Sequence, residues 1–308
     1  MRAVVQTKVG GPEVLEIAER PSPKPSAGEV LVRVKAAGIN PVDVAVRTGA
    51  YPLLGEPPFT IGWDVSGTLE AVGSGVSGVS VGDEVYGMPL FPKEAAAYAE
   101  EVAAPANELA PKPKSLDHVH AAAIPLVGLT AWLGLVRTAA IGQGQRALIH
   151  GAGGGVGHLA VQIAKARGAT VIATASAGKV DFVRSLGADE VIDYGKTDFL
   201  ERAKDVDIAL ETVGGDHAAQ TVKALKSGGV LVSLLGVSDD AQAEAKARGI
   251  RVERISVRPD REGLVELARL ADNGKLKVHV EKTFPLDQAG AAHSFLGTKP
   301  MGKVVLTI

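Results

Sequence analysis

The most constraining feature of the sequence is a unit of about thirty residues at 147–176, the size of a βαβ mononucleotide-binding half. The apolar segment Ala147–His150 predicts a buried strand, and Val171–Thr174 predicts a second one. Between them, apolar residues recur at helical spacing from Val156 to Ala164. A glycine cluster joins the first strand to this helix. The order strand, glycine loop, helix, strand predicts an α/β domain that binds a nucleotide.

The glycine cluster follows the register Ala152-x-Gly154-x-x-Gly157, in which alanine replaces the first glycine of the dinucleotide-binding fingerprint. Such glycines let the backbone approach a pyrophosphate, and the helix N-terminus offers it unpaired N–H groups. The same glycines could form an ordinary turn, but the strand before and the helix after supply the context that the fingerprint requires. The residues expected to contact the cofactor here are Gly153, Gly154, Gly155 and Val156.

Composition excludes several classes of protein. The net charge of −2 gives no basic surface for nucleic acid or for an anionic membrane. The absence of cysteine excludes disulfides, cysteine nucleophiles and thiolate metal sites. No apolar run has the length of a membrane span, and the first residues lack the apolar segment of a signal peptide. We therefore expect a cytoplasmic protein with no membrane or nucleic-acid partner.

The 308 residues are enough for one or two domains, and the pattern of apolar residues, glycine and proline changes near residue 116. Before it, short strands punctuated by glycine and proline predict an antiparallel, barrel-like domain. After it, strands alternate with helices, which predicts a doubly wound parallel sheet of six strands. The last two predicted strands, 278–284 and 303–308, are expected to return to the first domain. The predicted domains are therefore 1–117 with 275–308, and 118–274.

Three local patterns predict one strand and two helical segments. Ala97–Val102 predicts a strand. Asp117–Arg137 has helical spacing that is interrupted at Pro125 and Gly128. Asn40 is a good N-cap for a short helix that has Pro41 at its first position.

The end of the second strand of the nucleotide unit indicates which nicotinamide cofactor binds. NAD sites carry an acidic residue there that binds the ribose 2′-hydroxyl, but this chain has Ser176, with Lys179 beyond it. A hydroxyl and an ammonium attract a 2′-phosphate, which a carboxylate would repel. Alternatively, Ser176 caps a helix and Lys179 is a solvated surface residue. Asp181, the nearest carboxylate, is expected one turn into the helix and facing away, so NADPH is favoured over NADH.

Several motifs in one order carry a family resemblance. They are Asn40–Asp43, Arg47-x-Gly49-x-Tyr51-Pro52, Gly62–Gly67, Gly82–Gly87, Gly128–Trp132 and Gly151–Gly157. Together they resemble the zinc-free quinone oxidoreductase, or zeta-crystallin-like, branch of the medium-chain dehydrogenase/reductase superfamily. The resemblance implies a Rossmann domain with a GroES-like β-barrel domain, NADP(H) as cofactor, a homodimer, and reduction of quinones or α,β-unsaturated carbonyls by hydride transfer.

The resemblance also implies roles for residues in the first domain. Tyr51 matches a tyrosine that donates a proton to the substrate or orients it; alternatively it is a loop aromatic packed under Pro52 and Pro58. Asn40 and Asp43 match positions near the nicotinamide. Both also have a local explanation, because Asn40 caps a helix and Asp43 lies in its first turn.

In the second domain, Tyr194 matches a residue that cradles the adenosine phosphate together with Ser176 and Lys179. Thr130 matches a threonine that contacts the nicotinamide ribose or phosphate, although a helical threonine also bonds a carbonyl one turn back. Ligands of open α/β sheets bind at the carboxyl ends of strands. On that ground we expect further cofactor contacts at Val213, Leu235 and Gly236.

No catalytic metal is expected. A catalytic zinc needs three protein ligands, and the zinc alcohol dehydrogenases that the chain resembles have a cysteine at Asn40 and Gly-His-Glu at Gly62-Trp63-Asp64. The seven histidines are scattered without ligand spacing. Two functions remain as alternatives to quinone or enone reduction: a standalone enoyl-thioester reductase, and an NADPH-binding crystallin-like protein with little catalytic role.

Overall fold

The computed structural model describes residues 1–308, which form two compact units. The first unit comprises residues 1–129, 258–273 and 278–308, and the second comprises 130–257 and 274–277. The strands are β1 (Arg2–Gln6), β2 (Leu15–Glu19), β3 (Glu29–Ile39), β4 (Asp64–Val72), β5 (Glu84–Gly87), β6 (Glu101–Pro105), β7 (Leu109–Pro111), β8 (Arg146–Ile149), β9 (Thr170–Ala175), β10 (Glu190–Asp193), β11 (Val206–Glu211), β12 (Leu225–Ser233), β13 (Arg251–Arg254), β14 (Val280–Pro285) and β15 (Lys303–Thr307).

The helices are α1 (Pro41–Arg47), α2 (His118–Ala122), α3 (Pro125–Trp132), α4 (Gly155–Ala166), α5 (Val180–Ser185), α6 (Phe199–Arg202), α7 (His217–Ala224), α8 (Asp239–Ala247), α9 (Arg261–Asp272) and α10 (Ala289–Leu296). A π-helical turn, Leu133–Thr138, continues α3. Short 3₁₀ turns lie at Pro12–Val14, Ala106–Glu108, Ala177–Lys179 and Leu286–Gln288. None of these helices has both the length and the apolar character needed to cross a membrane.

The second unit is built on six parallel strands in the order β10-β9-β8-β11-β12-β13. The chain enters the middle of this sheet with β8 and adds β9 and β10 on one side. It then returns to the other side of β8 and adds β11, β12 and β13. This confirms the predicted doubly wound sheet. Apolar side chains of its strands, such as Leu148, Ile172 and Leu231, lie in a buried core with residues of the flanking helices. The reversal between β8 and β11 creates the switch point at which ligands of such sheets bind.

The first unit contains a seven-stranded sheet, β14-β15-β3-β4-β5-β7 with β6 also on β3, and a two-stranded sheet of β1 and β2. Strand β3 alternates as predicted: Val30, Val32 and Val34 are buried, whereas Arg33 and Lys35 are exposed. Residues Val304–Thr307 of β15 pair antiparallel with the end of β3. The last strands therefore return to the first unit, as the sequence predicts.

The two compact units divide the chain differently from the predicted boundaries at 117/118 and 274/275. Residues 118–129 belong to the first unit, where the Leu126 N–H donates to Oδ1 of Asp64 at 2.8 Å. Helix α9 also belongs to the first unit. The Tyr86 hydroxyl donates to the Leu264 carbonyl at 2.5 Å, and the Ser115 hydroxyl donates to Asp272 at 2.8 Å.

Two local predictions need correction. The strand predicted at Ala97–Val102 lies at Glu101–Pro105, because the N–H groups of Ala97 and Tyr98 bond to Gly62 and Ile61 instead of extending that strand. The predicted helix break at Gly128 is wrong. Its N–H donates to the Ile124 carbonyl at 2.6 Å, so the helix continues through it. The break at Pro125 is confirmed, since α3 begins there.

Candidate functional site

The glycine loop between β8 and α4 brings the first turn of the helix close to the backbone of Gly151, just after β8. A Cβ at Gly157 would lie 2.3 Å from the carbonyl oxygen of Gly151, so this approach requires glycine. Helix α4 begins at Gly155, and its first N–H groups, including that of Val156, have no acceptor within the helix. These donors and the positive end of the helix fit a pyrophosphate.

Ser176, Lys179 and Tyr194 lie together beyond the carboxyl ends of β9 and β10. Asp193 pairs with Ala175 across the two strands, which makes Tyr194 and Ser176 neighbours. The Lys179 side chain runs over the glycine loop, since a Cβ at Gly153 would lie 2.6 Å from its Cδ. Ser176 precedes a 3₁₀ turn but makes no side-chain capping bond.

No unpaired carboxylate competes for this position. Asp181 lies in the first turn of α5, and its carboxylate forms an ion pair with Arg184 at 2.5 Å. Asp193, the last residue of β10, is engaged locally, because its carboxylate accepts the Gly195 N–H at 3.0 Å and lies 3.6 Å from the Lys196 ammonium. The other polar groups here are a serine hydroxyl, a lysine and an exposed tyrosine. This donor set fits a 2′-phosphate, because a dianion gains charge-assisted hydrogen bonds from such groups.

The turns after β11 and β12 expose apolar side chains at the same edge of the sheet. Val213 is 53% exposed and Leu235 is 63% exposed. Gly214 and Gly236 adopt φ values of +84° and +92°, which favour glycine. Thr130 lies in the same unit but is buried within α3. These side chains lie beyond the carboxyl ends of two parallel strands, which is where ligands of open α/β sheets bind.

In the first unit, Asn40 lies in a buried polar cluster with Asp64 and Lys303. The Asn40 amide nitrogen donates to Oδ2 of Asp64 at 2.9 Å, and its oxygen accepts a bond from the Lys303 ammonium. Lys303 also donates to the Ile39 carbonyl at 2.7 Å. Burial raises the pKa of Asp64 and lowers that of Lys303, and the opposite charge of each partner counters both shifts. Both the nitrogen and the oxygen of the Asn40 amide thus have hydrogen-bond partners within the protein.

Asp43 lies in the first turn of α1 and is also fully buried. Its Oδ2 accepts bonds from the Asn40 N–H at 2.7 Å and from the Tyr98 hydroxyl at 2.8 Å. The Tyr98 hydroxyl lies 3.1 Å from Nε2 of His293. Burial raises the pKa of Asp43 to about 7, although these hydrogen bonds oppose the shift. Burial, and secondarily the Arg47 charge, lowers the pKa of His293 to about 3.

Tyr51 is placed quite differently from Asn40 and Asp43. It follows α1 in a loop, where its N–H donates to the Ala45 carbonyl at 3.1 Å. Its side chain is 52% exposed. This exposure argues against the alternative of an aromatic ring packed under prolines, and it leaves the hydroxyl accessible to a substrate.

The structure holds no group of three or more His, Cys, Asp or Glu side chains that could bind a metal ion. At the position matched to a zinc-ligating histidine, Trp63 is buried, and its indole N–H donates to the Lys93 carbonyl at 2.7 Å. The carboxylate next to it, Asp64, is occupied by Asn40, Leu126 and Lys303.

The structure thus places the predicted cofactor residues of the second unit, apart from the buried Thr130, along one edge of its sheet, and it places Asn40 and Asp43 inside the first unit. Four residues of the buried clusters were not predicted as site residues: Asp64, Tyr98, His293 and Lys303. Neither was Glu211, the buried last residue of β11. Glu211 and Lys303 left a signal, because each is a charged residue at the end of an apolar strand. Nothing in the sequence singles out Tyr98 or His293.

Two family models match the chain. One, described as the alcohol dehydrogenase GroES-like domain, matches residues 26–114, and one described as zinc-binding dehydrogenase matches residues 186–306. The first match identifies the large sheet of the first unit as GroES-like, which agrees with the fold that the resemblance implies.

Curated relatives and solved structures match along the whole chain. The quinone oxidoreductase of Rattus norvegicus is 31% identical over 326 residues, which cover 100% of this chain and 98% of that protein. The chloroplastic NADPH-dependent alkenal/one oxidoreductase of Arabidopsis thaliana is 36% identical over 318 residues, which cover 99% of this chain and 79% of that protein. The structure of Escherichia coli quinone oxidoreductase complexed with NADPH superposes with a TM-score of 0.88 at 32% identity, covering 100% of both chains.

Proposed function

The chain belongs to the quinone oxidoreductase branch of the medium-chain dehydrogenase/reductase superfamily, and we propose that it is an NADPH-dependent enzyme that reduces quinones or α,β-unsaturated carbonyls. The observation that carries this proposal is the edge of the second unit's sheet, where a glycine loop adjoins a phosphate-binding donor set whose neighbouring carboxylates, Asp181 and Asp193, are each paired with a nearby cation. The relatives named for quinones, for alkenals and for NADPH support the same substrate and cofactor classes.

The residues present fit NADPH along its length. The backbone of Gly153, Gly154, Gly155 and Val156 binds the pyrophosphate. On one side, Ser176, Lys179 and Tyr194 hold the 2′-phosphate of the adenosine half. On the other side, the turns at Val213, Leu235 and Gly236 contact the nicotinamide half, together with Thr130. We propose these contacts from the strand order and from the exposed groups described above.

NADPH supplies the hydride when it is bound; the protein positions the reactants and manages the charge. Hydride addition to an enone or quinone leaves negative charge on an oxygen or α-carbon, which must be stabilised and protonated. Tyr51 is the proposed proton donor or orienting group, because its hydroxyl lies on an exposed loop side chain. Asn40 and Asp43 are fully buried, so we propose that they act as positioning residues that hold the start of α1.

Steady-state NADPH oxidation tests the proposal, with 1,2-naphthoquinone, 9,10-phenanthrenequinone, a 2-alkenal and an enoyl thioester as substrates. We expect turnover with a quinone or the alkenal. Tight NADPH binding without turnover of any substrate would contradict the enzymatic proposal and favour a binding protein. Turnover of the thioester alone would favour an enoyl reductase.

We also propose that the chain forms a homodimer. The proposal is supported by the resemblance and by β13, which pairs with β12 on one side and ends the six-stranded sheet on the other. Pairing of two such edges would join two sheets. Light scattering during size-exclusion chromatography tests it, with an expected mass of about twice the 31.6 kDa of the chain. A mass equal to that of one chain would contradict the proposal.

A further inference from the structure

Glu211 is the last residue of β11, and its side chain is fully buried. Its Oε1 accepts hydrogen bonds from two backbone N–H groups of the following turn, those of Val213 at 2.5 Å and Gly214 at 2.9 Å. The hydroxyl of Ser233, at the end of the neighbouring strand β12, lies 3.3 Å from Oε2 of Glu211. The same hydroxyl lies 3.0 Å from the carbonyl oxygen of Gly236, and its single proton can go to either acceptor. The carboxyl group therefore holds the turn that follows β11, and the Ser233 hydroxyl lies between this group and the turn that follows β12.

These two turns also touch each other. A Cβ at Gly214 would lie 2.7 Å from Cδ1 of Leu235, so the turns fit together because position 214 is glycine. The N–H groups of the first turn point inward to the carboxylate, whereas the side chains of Val213 and Leu235 are exposed. The contacts that the two turns make with Glu211 and with each other thus determine where the exposed side chains of Val213 and Leu235 lie.

The hydrogen bonds to the Glu211 carboxyl group come mainly from backbone donors. Its nearest ionisable partner is His217, whose Nδ1 lies 3.7 Å from Oε1, beyond hydrogen-bond distance. A buried carboxylate is costly unless its hydrogen bonds are made, and an apolar residue here would leave two N–H groups of the turn without their acceptor. The carboxylate therefore acts on the conformation of the turn.

The strand order places these turns under one half of the dinucleotide. The glycine loop follows β8 and holds the pyrophosphate, and the adenosine ribose lies toward β9, where Ser176 and Lys179 are. The other half of the cofactor must then extend over β11 and β12, on the opposite side of β8. The turns joined by Glu211 follow those two strands.

We propose that Glu211 is a positioning residue for the nicotinamide half of NADPH, and that its carboxylate fixes the turns at 213–214 and 235–236 in the arrangement that contacts this half. The inference rests on the proposed function, because it assumes NADPH as the cofactor. Glu211 itself lies beneath the turns and does not touch the cofactor.

The test compares two ligands by titration, NADPH and 2′,5′-ADP, since the second occupies the adenosine half without reaching β11 or β12. For Glu211→Ala we expect the Kd of NADPH to rise about tenfold, because two turn N–H groups lose their acceptor, and the Kd of 2′,5′-ADP to stay unchanged. Glu211→Gln is the matched control. Its amide oxygen still accepts both N–H bonds, and its NH₂ donates to Ser233, so NADPH binding stays within about twofold of the parent.

The outcomes separate this inference from the proposed function. A parent protein that binds neither ligand would contradict the proposed function itself. A parent that binds both, with an E211A variant that weakens both ligands equally or neither, would overturn the role of Glu211 alone. If E211A does not fold, Glu211→Met carries the test, because methionine keeps the length of the side chain and removes the oxygens that accept the two N–H groups. A Kd of NADPH raised about tenfold with unchanged 2′,5′-ADP binding supports the inference, and an unchanged Kd of NADPH overturns it.

Discussion

The hydroxyl of Tyr98 donates a hydrogen bond to Oδ2 of Asp43 at 2.8 Å, with both side chains fully buried in the first unit. When Asp43 is ionised, its carboxylate can only accept, so the single proton of the hydroxyl goes to it. Nε2 of His293, at 3.1 Å from the same hydroxyl, is then the donor in that contact, which corresponds to the neutral Nε2–H tautomer of His293. The chain Asp43–Tyr98–His293 thus contains an acid and a base whose charged forms are both disfavoured by burial. It follows that the stability of the first unit depends on pH in two opposite directions.

The first prediction concerns Asp43. Burial raises its pKa from the ordinary value of 3.8 to about 7, so the folded state binds its proton more tightly than the unfolded state. The free energy of unfolding should therefore fall as the pH rises from about 4 to about 7, by up to ~4 kcal/mol from this group. Asp43→Asn stays neutral and keeps an acceptor for Tyr98, so it should flatten this slope.

Urea unfolding at about pH 5 and about pH 8 measures the slope. Asp181→Asn is the matched control, because its carboxylate is 95% exposed and should leave the slope as it is. An unchanged slope in the Asp43 variant would show that its carboxyl group is already ionised at pH 5.

The second prediction concerns His293, with the opposite sign. Burial lowers its pKa from the ordinary value of 6.5 to about 3, so the unfolded state takes up the proton first as the pH falls. Stability from this group is present above about pH 6.5 and is lost as the pH falls toward about 3. His293→Gln retains an N–H donor for Tyr98 but cannot be protonated, and it should lose less stability between about pH 6.5 and about pH 4.5 than the parent. His120→Gln, whose parent side chain is 41% exposed, is the control. Equal acid sensitivity of the parent and the His293 variant would contradict the prediction.

The third prediction concerns cofactor choice. Lys179→Ala removes an ammonium from the site proposed for the 2′-phosphate, so the Kd of NADPH should rise about tenfold or more while that of NADH changes by less than about twofold. Fluorescence titration with both nucleotides measures the two constants. Lys246→Ala, on the exposed surface of α8, should affect neither. An equal loss of affinity for both nucleotides would show that Lys179 acts on another part of the cofactor.

The fourth prediction concerns Tyr51. Tyr51→Phe keeps the ring and removes the hydroxyl, so turnover of an enone should fall about tenfold or more, as expected for the loss of a proton donor. The Kd of NADPH should remain the same, because the proposed cofactor contacts belong to the second unit. Stopped-flow measurement of a single turnover separates this step from product release. A rate equal to that of the parent would exclude Tyr51 from the chemistry.

Periodicity predicted the elements of the second unit well because each element depends on its own residues. Strand β8 and helix α4 lie where their apolar spacing places them, at Arg146–Ile149 and Gly155–Ala166. The same spacing does not show which sheet a helix covers. Helix α9 was therefore assigned to the second domain, although its contacts with Tyr86 and Ser115 hold it to the first unit.

The buried polar clusters could not be predicted for a related reason. Lys303 and Asn40 are separated by 263 positions in the sequence, and their contact depends on the pairing of β15 with β3. Local pattern indicates that Asn40 caps a helix, which is its role in α1. It gives no information on the partners of the Asn40 amide, because these come from other strands. Prediction of the site was therefore more complete along the glycine loop, where the ligand contacts are backbone groups close in sequence.

The return of β15 to β3 has a consequence for how the chain is made. The ribosome completes residues 1–129 first, but the end of β3 obtains its neighbouring strand, and Asn40 obtains the Lys303 ammonium, after residues 303–307 have emerged. The six strands of the second unit, by contrast, are all present once residue 254 has been added. The unit that is synthesised first is therefore the one that completes its sheet last. During translation it exposes the unpaired edge of β3, and Asn40 and Asp64 of the buried polar cluster still lack the Lys303 ammonium.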